Sequence, residues 1–310
     1  MTVNKHHELR KIARTDLSVT ALGLGTAPLG GLYTAVEESA ALAVIDEAID
    51  QGIKYFDTAP LYGNGLAEFR LGKGLGTARA KVVTISTKVG RLLIKDGQGN
   101  LSQTTFDYTA QGMRQAMAES LDRLQLPKVD IAYIHDPDDF PDQAINQAYP
   151  ELAKMRDEGI VSAIGVGINQ NELAVRFVKE TDLNVVLIAG RYTLLDQSAD
   201  TELLPLAKKK NVSIVIGGVF NSGILANPVV GATYNYAEAP IELIERAVAI
   251  REMLKEWNIP LTAAAIQFPM RHAAVTSVLT GARSVAELTA NIRDFNVEIP
   301  EECWKALANF

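Results

Sequence analysis

The sequence predicts a (β/α)8 TIM barrel with an N-terminal β-hairpin, a single α/β domain over residues 1–310, and three observations carry that expectation. Short apolar runs of β type alternate with amphipathic helical stretches along the whole chain with no linker, the pattern of parallel strands joined by helical crossovers. Eight such runs can be counted, the number that closes this barrel. Gly23 and Gly25 form a Gly-x-Gly after the first run, but it continues into Ala27-Pro28 and lacks the third glycine. That disfavours the doubly wound dinucleotide fold, the alternative for an alternating chain.

Residues 9–14 and 19–25 flank the polar turn Thr15-Asp16-Leu17-Ser18 and form a hairpin leading into strand one. Residues 37–51 set Leu42, Ile45, Ala48 and Ile49 on one helical face, and Gly52 stops that helix. Strand two spans 53–57, a short helix 67–75 and strand three 82–88. A long amphipathic helix covers 106–124 and strand four 129–135. Helix 144–158, strand 161–166 opening on Gly167, helix 172–179, strand 185–189 and helix 202–209 continue the rhythm. Strand 212–216 opens on Gly217-Gly218. Helices 241–256 and 262–271, the second entered at Pro260, precede strand eight at 275–279 and a helix at 285–292. A C-terminal helix over 301–309 carries Cys303 as a packing residue.

Two stretches break the rhythm. Residues 90–105 contain Asp96-Gly97-Gln98-Gly99-Asn100, and residues 221–240 contain Asn227-Pro228 and Tyr234-Asn235-Tyr236. Long irregular loops in a compact domain are functional or disordered. Both follow strand ends on one face, so lids or substrate walls on the C-terminal face are expected.

Composition narrows the class. The chain is 47% hydrophobic with a net charge of −7 and pI near 5.3, enough apolar content for a large core. Lys208-Lys209-Lys210 is a short basic run at a helix end, where it suits the helix dipole; nucleic acid and anionic membrane are not expected partners. One cysteine excludes an intrachain disulfide. With no 18-residue apolar run and no signal-peptide core before His6 and His7, in a terminus expected to fray, a cytoplasmic location is expected. Oligomeric state stays open.

The chemistry concentrates at strand ends. Asp57 ends strand two and Tyr62 follows in its outgoing loop, Lys88 ends strand three, and His135 ends strand four. In a parallel barrel those edges converge on one face. A lysine beside a tyrosine favours the phenolate and lowers its pKa, an aspartate holds the lysine, and a histidine bonds a substrate oxygen. A metal is not expected: His135 lies near Asp136, Asp138 and Asp139, but the other histidines are His6, His7 and His272. His272 ends a helix, where a partly charged imidazole would suit the dipole. Gly217-Gly218-Val219-Phe220-Asn221-Ser222-Gly223 leaves a strand with backbone N–H groups suited to a pyrophosphate. Thr280-Gly281-Ala282-Arg283-Ser284 opens a helix and makes a second anion site.

Asp57-Thr58-Ala59 with Tyr62-Gly63, Thr87-Lys88-Val89 and His135-Asp136-Pro137-Asp138 resembles the catalytic tetrad pattern of the aldo-keto reductases. The likeness runs from Leu22-Gly23-Leu24-Gly25-Thr26 to Asn291. Through Arg191-Tyr192-Thr193-Leu194-Leu195-Asp196 and Gly165-Val166-Gly167-Ile168-Asn169 the chain resembles, within that family, the aldose dehydrogenases of D-threo-aldose, L-fucose or L-galactose type and pyridoxal 4-dehydrogenase. The resemblance implies an NAD(P)-dependent oxidoreductase with Tyr62 as acid/base, oxidising an aldose at C1 to its lactone. A general aldehyde, ketone or pyridoxal-type oxidoreductase is the alternative, and a non-catalytic cofactor-binding subunit a further rival that the intact tetrad disfavours.

The expected cofactor contacts are Gly25, Thr26, Asn169, Gly218, Val219, Phe220, Asn221, Ser222, Gly223, Leu225, Gly281, Ala282, Arg283, Ser284, Glu287 and Asn291. By resemblance Asn291 reads adenine and Asn169 lies near the carboxamide. Ala189 stands where many members have Gln, and Gly217 where an aromatic stacks on the nicotinamide, which leaves Tyr192 or Phe220 to position that ring. Glu287 stands where members specific for a 2′-phosphate often carry Arg. A carboxylate accepts ribose hydroxyls and repels phosphate, whereas Arg283 with Ser284 pulls the other way. NAD is expected, with NADP possible.

Overall fold

A computed structural model describes residues 5–31, 34–235 and 237–310; Tyr236 and the first four residues of the terminus lie outside the described residues. Eight parallel strands follow one another around a closed barrel: β1 (Leu22–Gly25), β2 (Tyr55–Asp57), β3 (Thr84–Val89), β4 (Ile131–His135), β5 (Ala163–Ile168), β6 (Val185–Ala189), β7 (Ser213–Gly217) and β8 (Val275–Gly281). Closure comes from β8 on β1, with Val278 opposite Leu22. Strands covered on both faces need continuous apolar runs, and Ile131, Ala132, Tyr133 and Ile134 are all buried. Outside the strands a main core lies between barrel and helices; inside, Ile12 and Val19 of the N-terminal hairpin join Tyr55, Tyr133, Val185, Val215 and Leu279. That hairpin pairs Leu9–Lys11 with Ser18–Thr20 and closes the bottom.

Several boundaries move for identifiable reasons. Residues 101–106, placed partly in a loop and partly at the start of a helix by sequence, form the strand Leu101–Phe106, antiparallel to Arg91–Lys95. Asp96 Oδ1 accepts from the N–H of Gln98 and Asn100, both at 2.8 Å, and turns the chain between them. The following helix therefore begins at Ala110, capped by Thr109 accepting from the Gly112 N–H at 3.1 Å. Strand β5 continues through Gly167, which pairs with Leu187, instead of ending before it. The helix expected over 144–158 carries a π turn at Ala144–Ala148, just before Pro150, whose missing N–H cannot complete the α ladder.

The terminus from residue 5 is not frayed. His6 is buried, with Nε2 2.8 Å from Gln51 O and Nδ1 3.2 Å from Asn296 Oδ1. Within 221–240, Ile224 and Leu225 are fully buried in a second core beside the helix Ile241–Glu256, and Thr233–Tyr234 pairs with Ala237–Glu238. The segment is anchored, so a lid reading applies only to its cavity-facing residues. Cys303 is buried packing, as expected. Among the described residues no helix is long and apolar enough to cross a membrane.

Candidate active site

The register of the first four strands brings the ionisable strand ends together. Asp57 lies opposite Ser86, Lys88 opposite Tyr133, and His135 opposite Gly167. Lys88 is 2% exposed, and its three ammonium hydrogens have three acceptors: Asp57 Oδ2 at 2.6 Å, Thr58 O at 2.9 Å and Tyr62 Oη at 2.9 Å. Burial alone would discharge this lysine, but Asp57 and Tyr62 outweigh it and hold its pKa above the ordinary range.

The expected lowering of the Tyr62 pKa does not occur. Burial is the larger effect and, with Asp57, pushes the phenol up; Lys88 only pulls against it. Tyr62 is therefore a protonated phenol held on an ammonium, a proton donor at rest. His135 is driven well below the usual imidazole range by burial, then by Lys88 and Arg91, and stays neutral. Its ring stands 6.4 Å from that of Tyr62 at 84°. Among the described residues its Nδ1 has no hydrogen-bond partner. His272 also differs from expectation, because burial lowers its pKa against the pull of Asp200.

Support comes from residues that sequence reasoning missed. Arg91 Nη2 donates to Asp136 Oδ2 at 2.7 Å, and Tyr108 Oη donates to the carbonyls of His135 and Asp136 at 2.6 and 2.9 Å. Those bonds hold Asp136 at φ +42°, a rare conformation for a non-glycine residue, with its carboxylate 3.5 Å from His135 Nε2. The loop carrying Tyr62 presses on the short turn Ala27–Gly30: a Cβ on Gly63 would stand 2.1 Å from Gly30 O. Only glycine permits that approach, and φ +64° at Gly63 favours it as well.

Two cavities share Ala27, Tyr62, Asn169, Leu187 and Ala189 as walls. One, of about 520 Å3, adds Lys88, His135 and Asp136. The other, of about 680 Å3, runs past the ends of β6, β7, β8 and β1. Of the expected cofactor residues, Gly25, Asn169, Gly218, Val219, Phe220, Asn221, Ser222, Gly223, Gly281 and Arg283 line it. Thr26, Leu225, Ala282, Ser284, Glu287 and Asn291 do not. Thr26 is buried with Oγ1 donating to Asp57 O at 3.0 Å; Leu225 and Ala282 are core. Ser284 caps the helix Val285–Phe295, Glu287 grips Arg283, and Asn291 Nδ2 donates to Gly281 O at 3.2 Å. Of the two residues expected to position the ring, Tyr192 does not line the cavity but is buried against Phe268, centroids 5.0 Å apart, whereas Phe220 is on the wall. Pro28, Gly190, Thr233, Asn235 and Thr280 line the cavity unforeseen.

The residues fit an extended cofactor, although not by the expected count of free amides. The N–H groups of Asn221 and Gly223 are bonded to Gly218 O and Phe220 O at 2.9 and 3.0 Å. What the wall does offer is Asn221 Oδ1, a buried acceptor with no partner among the described residues. Gly217 and Gly25 leave the floor open, since a Cβ on either would meet only ordinary neighbours at 3.8 Å or beyond.

Barrels of this kind place their chemistry at the carboxyl ends of the strands, and a phenol held on a buried ammonium is suited to proton transfer to or from a polar oxygen. Residues 21–310 match the aldo/keto reductase family, and the chain belongs to it; it is an oxidoreductase of a family that uses NAD(P)H. It is 42% identical to D-threo-aldose 1-dehydrogenase of Pseudomonas sp over 96% of this chain and 95% of that protein. It is 40% identical to pyridoxal 4-dehydrogenase of Microbacterium luteolum over 98% and 97%, and 32% identical to L-galactose dehydrogenase of Arabidopsis thaliana over 92% and 87%. Among solved structures it resembles the holo form of an aldo-keto reductase from Bacillus halodurans, with TM-score 0.83, 25% identity and coverage of 98% and 96%.

Proposed function

We propose that the protein is an aldose dehydrogenase, oxidising an aldopyranose of L-fucose, L-galactose or D-arabinose type at C1 to its lactone. The observation that carries the reading is the composition of the smaller cavity, where Asp136 and Asn169 stand beside Tyr62 and His135. A polyhydroxylated ring needs such acceptors and donors around the reacting carbon. The 42% identity to a D-threo-aldose dehydrogenase supports it independently. Asp57, Tyr62, Lys88 and His135 are the catalytic residues in this reading. Tyr62 exchanges the proton of the reacting oxygen, Lys88 lowers the cost of its deprotonated form, Asp57 holds Lys88, and neutral His135 bonds the same oxygen. A bound nicotinamide supplies or accepts the hydride.

A second reading, a pyridoxal-type oxidoreductase, draws on the 40% relative and on the apolar part of the wall, Leu61, Ile168 and Leu187. A panel of L-fucose, L-galactose, D-arabinose and pyridoxal with each cofactor, followed at the nicotinamide absorbance, separates the two. Sugars are expected to exceed pyridoxal in kcat/KM by tenfold or more; the reverse order overturns the aldose reading.

The cofactor we favour is NAD. Glu287 accepts from the Arg283 N–H at 2.8 Å and from its guanidinium at 2.7 Å, so a carboxylate already holds the cation that a 2′-phosphate would need. Asn291 stays the residue proposed to read adenine, with Ser284 nearby at the helix start. Glu287→Gln frees Arg283 and is expected to move the kcat/KM ratio about tenfold toward NADP, the scale of one charge-assisted bond. A wild-type preference of tenfold or more for NADP overturns the choice.

A further inference from the structure

Behind Asp57 the barrel interior holds a line of hydroxyl groups that the steps above leave unused. Ser86 Oγ lies 2.7 Å from Asp57 Oδ1, the carboxylate oxygen that Lys88 does not take, and 3.2 Å from Tyr55 Oη. Tyr55 Oη is in turn 2.9 Å from Tyr133 Oη. All three side chains are fully buried. Room for the rings comes from neighbouring strands: a Cβ on Gly23 would stand 2.8 Å from the Tyr55 ring, and one on Gly165 2.9 Å from the Tyr133 ring. Aliphatic side chains would fill a barrel interior without buried polar atoms, so these hydroxyls are costly unless bonded.

The direction of the line follows from counting hydrogens. Each hydroxyl has one, and an ionised carboxylate only accepts. Ser86 therefore gives its hydrogen to Asp57 Oδ1 at 2.7 Å, the shorter of its two contacts, with Tyr55 Oη as a second acceptor at 3.2 Å, and Tyr133 shares a hydrogen bond with Tyr55 behind it. Burial pushes both phenols above their ordinary range, so they remain donors.

We propose that Ser86, backed by Tyr55 and Tyr133, is a positioning residue for the reaction: its donation to Oδ1 fixes the plane of the Asp57 carboxylate, so that Oδ2 holds the Lys88 ammonium against Tyr62. This rests on the roles proposed above for Asp57, Lys88 and Tyr62. The groups facing Tyr62 are Lys88 from β3, Asp57 from β2, and His135 and Asp136 from the end of β4, with Arg91 behind Asp136. Of these Lys88 lowers the phenol pKa, so loosening it moves the pH at which Tyr62 loses its proton upward.

The test measures oxidative turnover against pH for Ser86→Ala, Ser86→Thr and Tyr55→Phe, on the substrate that the panel selects. Ser86→Ala is expected to lower kcat roughly 10- to 100-fold, the worth of a hydrogen bond to a charged group, with KM and cofactor affinity essentially unchanged. The limb at which rate rises with pH moves to higher pH. Ser86→Thr keeps the hydroxyl and restores most of the rate, and Tyr55→Phe shifts kcat and limb the same way by less. Wild-type kcat in Ser86→Ala overturns the proposal, as does a loss with an unmoved limb that Thr does not restore. If Tyr62→Phe itself keeps full turnover, the underlying reading of the site has failed; a silent Ser86→Ala beside an inactive Tyr62→Phe sinks only the role of Ser86.

Discussion

Tyr62→Phe is expected to lower kcat by about 10²–10⁴-fold, the usual contribution of a positioned acid or base, while nicotinamide cofactor affinity changes little. The substitution removes one oxygen from a half-buried ring and leaves its shape in place. That oxygen is the acceptor of one of the three Lys88 hydrogens, at 2.9 Å, so the ammonium loses a partner but keeps Asp57 and the Thr58 carbonyl. Stability should fall only modestly, by about 1–3 kcal/mol for an unsatisfied buried donor. Steady-state kinetics and cofactor titration by fluorescence check the split. Near wild-type turnover would make Tyr62 a packing aromatic and would end the acid/base reading.

Lys88→Met should cost both activity and stability. The lysine and Asp57 form a buried pair, 2% and 3% exposed, and removing one partner leaves the other charge uncompensated. Such losses run to about 3–5 kcal/mol, measured here by denaturant unfolding. Turnover should fall at least as far as in Tyr62→Phe, because Tyr62 loses the one neighbour that eases its deprotonation. Adding Asp57→Asn to Lys88→Met removes the orphaned charge, so the double variant should regain part of the stability and none of the activity. A stable, inactive single variant would mean that the pair does not hold the site together; a stable, active one would remove Lys88 from the mechanism.

Much of this site was legible in the chain because its residue types are poor choices for their positions unless they work. A lysine ending Val-Val-Thr-Ile-Ser-Thr and an aspartate ending a buried strand are anomalies in a one-dimensional pattern, and the alternation of elements says that the anomalies converge. The Gly-rich exit of β7 was legible for the same reason. Arg91 and Tyr108 were not, because Arg91 lies in a hairpin taken for an irregular loop and Tyr108 in a stretch taken for the start of a helix, although Thr104-Thr105 and the Asp-Gly turn carried a strand signal. The grip of Glu287 on Arg283 is four residues apart on a helix start, within reach of spacing rules; its consequence for the cofactor needed both side chains in place.

The sequence by itself determined the barrel, the order of its strands and the four ionisable side chains at its mouth, because periodicity and strand-end chemistry are properties of neighbours along the chain. Tertiary structure decided the charge states. Lys88 near Tyr62 predicts a lowered phenol pKa on local grounds, yet desolvation in the folded site outweighs the cation and raises the phenol pKa. It also decided which expected cofactor residues face the cavity and which, like Thr26, Leu225 and Ala282, turn inward. Desolvation and side-chain direction depend on what the rest of the fold brings around a residue, and no window of sequence contains that.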